Sequence, residues 1–195
     1  MERCRFSKTY SDNSWEKLKH GTGAYGVFWD QKKDNGLGDI VIKDMDLLNM
    51  FWQPGVRNIQ EARNIFVTEL VDTDILEDQY PEYKGKLKGD VIDAKQYLHD
   101  ETIDTSDKSV VVDWYYKVTD EYGRTIVHYC KYVGDVVLQA TENDPVLRER
   151  GVYDHGEYPF VFDCVKDPGE GTLLGIDSSG GVVLFNQFLY QIQKE

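Results

Sequence analysis

Hydrophobic and polar residues alternate most regularly between Ser109 and Glu142. Val110, Val112, Trp114, Tyr116 and Val118 fall on one face of an extended chain, and Val111, Asp113, Tyr115 and Lys117 on the other. The first face is the more apolar, so Trp114 and Tyr116 are expected to be buried beside Val110 and Val112. Gly123 marks a turn, Thr125 to Val133 reads as the returning strand, and Gly134-Asp135 turns into a third strand over Val136 to Glu142. Together these predict a three-stranded antiparallel meander. A later strand is expected over Phe160 to Val165, after Pro159.

Upstream the pattern is less even. Trp15 and Leu18 stand three apart and predict one face of a short helix over 14–19. Tyr25, Val27 and Trp29 alternate with Gly26, Phe28 and Asp30, the spacing of a strand apolar on both faces. Asp34-Asn35-Gly36 reads as a turn, because Asn-Gly readily takes positive φ, and Asp39 to Lys43 as the partner strand of a hairpin. Asp46 is placed to cap a single helical turn through Met50, which Pro54-Gly55 closes. Asn64 to Val71 is β-branched and extended. Thr73 or Asp74 is the expected cap of a short helix over Ile75 to Gln79, with Glu77 completing a capping box and Pro81 ending it. Glu82 to Gly89 reads as a polar loop, and Val91 to Asp107 carries no clear period. The fold class expected is α+β, predominantly an antiparallel β meander with a few short helices. The expected organisation is an N-terminal helical segment over 1–24, a β-rich domain over 25–165 and a divergent C-terminal segment over 166–195.

Composition supports a packed core. Of 195 residues, 41% are hydrophobic and 13% aromatic. The net charge of −13 is spread along the chain, and such a surface repels phosphate, so tight wrapping of nucleic acid is not expected. Three cysteines, Cys4, Cys130 and Cys164, at wide spacing are unlike a secreted disulfide framework. The start of the chain lacks the apolar run of a signal peptide, and no stretch approaches a membrane span. These features point to a soluble protein of a reducing compartment.

Several clusters invite a chemical reading, and each has a structural one. Gly21-Thr22-Gly23-Ala24-Tyr25-Gly26 lacks a Gly-Lys-Ser/Thr ending and runs from helix to strand, the reverse of a phosphate loop, so it reads as a close-packed junction. Asp30, Asp34, Asn35 and Asp39 miss the spacing of a calcium loop and read as a solvated hairpin turn. Asp72, Asp74, Glu77 and Asp78 cluster where free helical N–H groups are expected, which is capping. His128 and Cys130 share a strand face and both are competent zinc ligands. A tetrahedral site needs two more, and His20, His99, His155, Cys4 and Cys164 stand at no fixed spacing, so a cross-strand histidine and a buried thiol are expected instead. Lys84, Lys86 and Lys88 alternate with Gly85, Leu87 and Gly89. Extended, they would put three positive charges on one side as a weak phosphate contact, although a solvated loop accounts for them as well. No catalytic or metal residues and no cofactor are expected.

One run of ordered blocks carries a resemblance. Gly36-Leu37-Gly38-Asp39-Ile40 leads through Asp46-Leu47-Leu48-Asn49 to Phe51-Trp52-Gln53-Pro54-Gly55, then Asn58-Ile59-Gln60-Glu61-Ala62-Arg63 and Glu69-Leu70-Val71-Asp72. Val112-Asp113-Trp114-Tyr115-Tyr116, Ala140-Thr141-Glu142-Asn143-Asp144 and Tyr153 to Asp163 continue it in the same order. This stretch, 12–163, resembles the portal proteins of tailed bacteriophages, particularly those of phages and prophages of Firmicutes. The resemblance implies a structural protein and not an enzyme. Its part would be the β-rich wing region of a self-associated ring at one capsid vertex, located in the virion and, during assembly, in the host cytoplasm. Terminase and head-completion proteins dock on such a ring, and DNA passes through it without tight binding. After Asp163 the family continues through Gly-rich turns into a long helix, whereas here Ser178-Ser179-Gly180-Gly181 leads into Val182-Val183-Leu184-Phe185. That apolar ending is expected to fold back on its own domain and to promote self-association. Two other classes fit the composition: an acidic hydrolase with a carboxylate or single-metal site, and a β-rich carbohydrate- or peptide-binding module. A pocket holding several acids would favour the first, and aromatics exposed in a groove the second.

Overall fold

The computed structural model describes residues 6–56, 58–87 and 107–164. Two antiparallel sheets with a few short helices make an α+β fold dominated by strands, as the alternation predicts. The described residues fall into two compact units. The first draws on Met1–Leu47, Gln53–Ala62 and Pro159–Glu195, the second on Leu48–Trp52 and Arg63–Tyr158. The β-rich stretch 25–165 is therefore distributed over both. Lys88, most of the unpatterned stretch 91–107, and the C-terminal segment from Val165 lie outside the described residues.

In the first unit, α1 (Phe6–His20) packs on a three-stranded sheet of β1 (Thr22–Asp30), β2 (Asp39–Met45) and β8 (Phe160–Cys164), in the order β2-β1-β8. The hairpin forms as expected, with Trp29 opposite Ile40 and Val27 opposite Ile42. Asp34, Asn35 and Gly36 all take positive φ at its tip. The strand after Pro159 also forms, but it pairs with β1 rather than with the meander: Phe160 lies opposite Gly26 and Cys164 opposite Thr22.

The helix is longer than the predicted 14–19, and its orientation differs. Trp15 and Leu18 are 64% and 54% exposed, while Asn13 is fully buried. Gly21 (φ 81°) ends the helix, its N–H donating to Lys17 O at 2.9 Å. The sheet then begins so close beneath α1 that only glycine fits at position 23, since a Cβ there would meet the Asn13 side chain at 1.9 Å.

The second unit is a five-stranded antiparallel sheet in the order β3-β4-β5-β6-β7: β3 (Met50–Trp52), β4 (Asn64–Asp72), β5 (Lys108–Thr119), β6 (Thr125–Val133) and β7 (Val136–Ala140). The predicted meander is thus its last three strands. The third strand stops at Ala140, where Thr141–Asn143 form a single 3-10 turn. At the other end Asp46 precedes a 3-10 turn, Leu47–Asn49, and Met50 already belongs to β3. The edge strand β7 is irregular. Lys131 faces Gln139 and Tyr132 faces Val137, so Leu138 has no opposite number.

The buried face of this sheet is the reverse of the expected one. Ser109, Val111 and Tyr115 of β5 are buried, with Met50, Ile65, Val127 and Val133. Trp114 and Tyr116 lie half-buried on the other side. The charges on the buried face are matched rather than excluded, which is why alternation misled. Asp113 accepts the Tyr129 hydroxyl at 2.6 Å and lies 3.3 Å from Lys131 Nζ, and the Lys117 ammonium sits 4.6 Å from the Tyr158 ring centroid.

α2 (Thr73–Gln79) covers one end of that face. Leu76 and Leu87 pack with Val111 and Val133, flanked by Val71, Tyr83, Val136 and Leu138. The predicted polar loop after Pro81 therefore hides an anchor: Leu87 is wholly buried, and Ser109 donates to its carbonyl at 2.6 Å. The expected capping box does not form. Asp72 precedes α2 without a side-chain cap and pairs with Lys108, and Glu77 accepts the Gly85 N–H at 2.8 Å. A further helix, α3 (Pro145–Arg150), went unpredicted. Asp144 caps it by accepting the N–H groups of Val146 and Leu147 at 2.8 and 3.1 Å, with Pro145 at its start.

Candidate functional site

The sequence candidates that meet in space do so on the half-buried face of the five-stranded sheet. The β5–β6 register puts Tyr116 opposite His128 and Trp114 opposite Cys130. Phe66, opposite Trp114 on β4, extends the row. The rings form a continuous ladder. Phe66 and Trp114 are 5.7 Å apart and nearly parallel, Trp114 and Tyr116 are 4.4 Å apart, and Tyr116 and His128 are 5.3 Å apart. Trp114 Nε1 donates to Asn64 Oδ1 at 3.1 Å, and Tyr116 Oη donates to Glu142 Oε1 at 2.5 Å.

Polar chemistry here is directed inward. His128 Nδ1 and Thr141 Oγ1 are 3.0 Å apart, and the same hydroxyl accepts the Tyr129 N–H at 3.1 Å. Burial pushes the His128 imidazole toward its neutral form, against the opposing pull of Glu142. Burial and then the Glu142 charge push the Cys130 thiol up, away from the thiolate that would make it a nucleophile or a metal ligand. Burial first, and then the bond to Glu142, raise the Tyr116 phenol. A neutral imidazole, a protonated thiol and a protonated phenol make a platform of stacked rings, not an activated dyad. Among the described residues no three His, Cys, Asp or Glu side chains are grouped to hold a metal ion.

The remaining candidates are dispersed. Lys84 and Lys86 are exposed in a tight turn rather than an extended segment: their N–H groups donate to Pro81 O and Tyr83 O, and Gly85 between them is held by Glu77. The hairpin acids serve their own loop, with Asp30 accepting the Lys32 N–H at 2.9 Å. The glycine-rich segment is the tight helix–strand junction described above. It also includes Gly26, where a Cβ would meet the Phe28 ring at 2.4 Å and Met45 Sδ at 2.8 Å.

Sequence reasoning missed an open groove of about 380 Å³ between α1 and β2, lined by Asp12, Trp15, Glu16, Lys19 and Asp44. The hydrogen bond from Lys19 holds the Glu16 carboxyl below its usual range, while burial pushes Asp44 up against the hydrogen bond it accepts from Asn13. The helical spacing of Asp12 and Glu16 signals their neighbourhood. Nothing local signals that Asp44 joins them from a strand. No described helix is long and apolar enough to cross a membrane. Comparison with known protein families finds no match to the chain, and comparison with curated proteins finds none either.

Proposed function

We propose that the chain is a structural component of a phage portal. In this reading it is a wing-region fragment contributing to the ring through which DNA is packaged and ejected, with terminase and head-completion proteins as the ring's partners. The observation that supports this reading is the work done by the residues that carry the resemblance: they make joints. Asn58 Oδ1 accepts the Gln60 N–H at 3.0 Å, and Gln60 Nε2 reaches the carbonyl of Phe160 at 3.2 Å, joining two portal-like blocks far apart in the chain. Ile59 and Ala62 of the same block are buried. Tyr158 Oη donates to Arg63 O at 2.9 Å, Asp144 caps α3, and Thr141 is buried beneath His128. Gly156 (φ 68°) passes so close to β6 that a Cβ would meet Thr125 O at 2.5 Å. Residues engaged in such joints specify a shape, and a ring subunit works by shape. The acidic surface suits a conduit to which DNA does not adhere.

Imaging the purified chain by electron microscopy, with mass measured in solution over a concentration series, tests the proposal. Closed rings of many copies are the expected result. A chain that stays at one or two copies at every concentration overturns it.

A second reading, an acidic hydrolase, is favoured by one observation. The carboxyls of Glu16 and Asp44 line one groove and are pushed in opposite directions, as the members of an acid–base pair are. Turnover of a glycoside or ester substrate that disappears in Asp44→Asn would establish it. Turnover unaffected by that change, or none across such substrates, removes it.

A further inference from the structure

We propose that Asn35, at the tip of the β1–β2 hairpin, is a site of intramolecular modification, at which the Gly36 main-chain nitrogen displaces ammonia from the side-chain amide and water then leaves an aspartyl or isoaspartyl residue. The chemistry needs a carboxamide followed by a residue with no Cβ to shield the attacking nitrogen, and Asn35-Gly36 is the only Asn-Gly in the chain. Asn35 is exposed, as are Asp34, Gly36 and Leu37 around it. A Cβ built on Gly36 would meet nothing within 4 Å, so that side of the glycine is open to water. Three consecutive residues hold positive φ, 51° at Asp34, 57° at Asn35 and 92° at Gly36. Two of them are not glycine, and the strain they carry makes the tip easy to open. The Gly36 N–H donates to Lys33 O at 3.1 Å, a carbonyl it shares with the Gly38 N–H at 2.9 Å. Releasing it takes an opening of the tip, not of the sheet.

The step balances with water as its co-reactant and no change of oxidation state. The Gly36 nitrogen gives its proton to hydroxide and bonds to Asn35 Cγ. The side-chain nitrogen leaves as ammonia, taking a proton from water, and a five-membered imide closes. Water then opens the imide at either carbonyl. Breaking the new Cγ–N bond leaves an aspartate at position 35. Breaking the original bond to the main-chain carbonyl carbon leaves an isoaspartate, which routes the backbone through the side chain and lengthens it by one methylene. Either product adds a negative charge beside Asp34. The fold withholds the same fate from Asn13, which also precedes a small residue, Ser14. Asn13 is fully buried inside α1, and its amide donates to Ala24 O at 2.9 Å and to Asp44 Oδ1 at 2.7 Å. Ser14, whose nitrogen would attack, lies in mid-helix. The hairpin tip exposes one amide and α1 locks the other.

Incubating the full chain at mildly alkaline pH, then digesting it with trypsin and weighing the peptides, tests the assignment. Peptide 34–43 should gain one dalton and resolve into two products, of which only one accepts a methyl group from an isoaspartyl methyltransferase. Its rate should rise with hydroxide concentration. Peptide 9–17, which carries Asn13, should stay unchanged in the folded chain and react once the chain is denatured. Asn35→Gly, which the positive φ admits, and Asn35→Gln should both abolish the change in 34–43. Even if either variant disturbs the hairpin, the two peptides of the parent still decide. A folded chain whose 34–43 stays unmodified overturns the proposal. So does one whose 34–43 reacts more than about tenfold slower than in denaturant, because the bond to Lys33 would then guard the nitrogen. Equal reaction at Asn13 and Asn35 in the folded chain overturns it too, since the fold would then make no choice between them. The assignment is independent of any ring, so neither outcome bears on the portal reading.

Discussion

The Asn13 carboxamide occupies the space that a side chain on Gly23 would need: Oδ1 lies 1.9 Å from where a β-carbon would stand. Nδ2 of the same amide donates to Ala24 O at 2.9 Å and to Asp44 Oδ1 at 2.7 Å, so the side chain cannot swing aside without losing both bonds. In a strand interior, Gly→Ala ordinarily gains about 0.5–1 kcal/mol. Here Gly23→Ala is expected to cost about 1–3 kcal/mol through overpacking. Chemical denaturation of both single variants and the Asn13→Ala/Gly23→Ala pair checks this. The pair should be less damaged than the sum of its parts, because removing the amide vacates the space. Additive costs would mean the two residues do not compete for it.

Neighbouring valines on β5 should respond oppositely to a charge. Val111 is buried against Leu76, Leu87 and Val133, so Val111→Asp places a lone carboxylate in an apolar cluster and should cost several kcal/mol, enough to prevent folding. Val112 points to the half-buried side, and Val112→Asp should cost about 1–2 kcal/mol and leave a cooperative melt. Circular dichroism on the two proteins decides, and a Val112 variant that unfolds while the Val111 variant folds would reverse the faces.

Stability should fall on mild acidification, in part because of His128. Burial holds its folded pKa below the ordinary imidazole value of 6.5. As pH drops through that value the unfolded chain takes up a proton that the folded one does not, so this stability is complete above about 6.5 and is lost below it. Denaturation midpoints measured between neutral pH and the onset of carboxyl titration should decline for the parent and flatten in His128→Asn. Parallel curves for the two would show that the imidazole titrates normally.

Much of the strand content was legible because extended chains that alternate over nine or more residues, such as β4, β5 and β6, leave little choice of period. Which face is buried was not legible, because that depends on partners distant in sequence. Asp113 and Lys117 look like surface residues until Tyr129, Lys131 and Tyr158 are placed beside them. The same holds for Leu87, which reads as loop until Ser109 and Leu76 arrive. α3 could have been found from Asp144-Pro145 alone, a cap followed by a first-turn proline. Of the site candidates, the shared face of His128 and Cys130 follows from strand period. Their burial, which pushes the imidazole toward neutrality and the thiol toward protonation, is a product of the surrounding sheet.

Binding to duplex DNA should be weak at physiological salt. Lys84 and Lys86 are exposed, but their turn points them away from the straight row that would track a backbone. Counting Lys88 as well, neutralising three phosphates gives a slope of log affinity against log salt of about −2.7 at most. Fluorescence anisotropy with labelled duplex across salt concentrations measures it, and a much steeper slope or sequence-selective binding contradicts the conduit reading.

The residue without an opposite number, Leu138, sits in the middle of an edge strand whose five residues, Val136 to Ala140, carry no charge and no proline. Such a segment, if straight, would template the addition of further strands and seed fibres. The register shift between Lys131 and Tyr132 leaves the strand irregular at this point, and a bulged strand is a poor template for an incoming one. Among the described residues β7 is the last strand of its sheet, and there a bulge discourages edge pairing as lysines or prolines do on other edges. Leu138 also packs against the Leu76–Leu87–Val111 cluster, so deleting it is expected to loosen that cluster as it restores a regular strand.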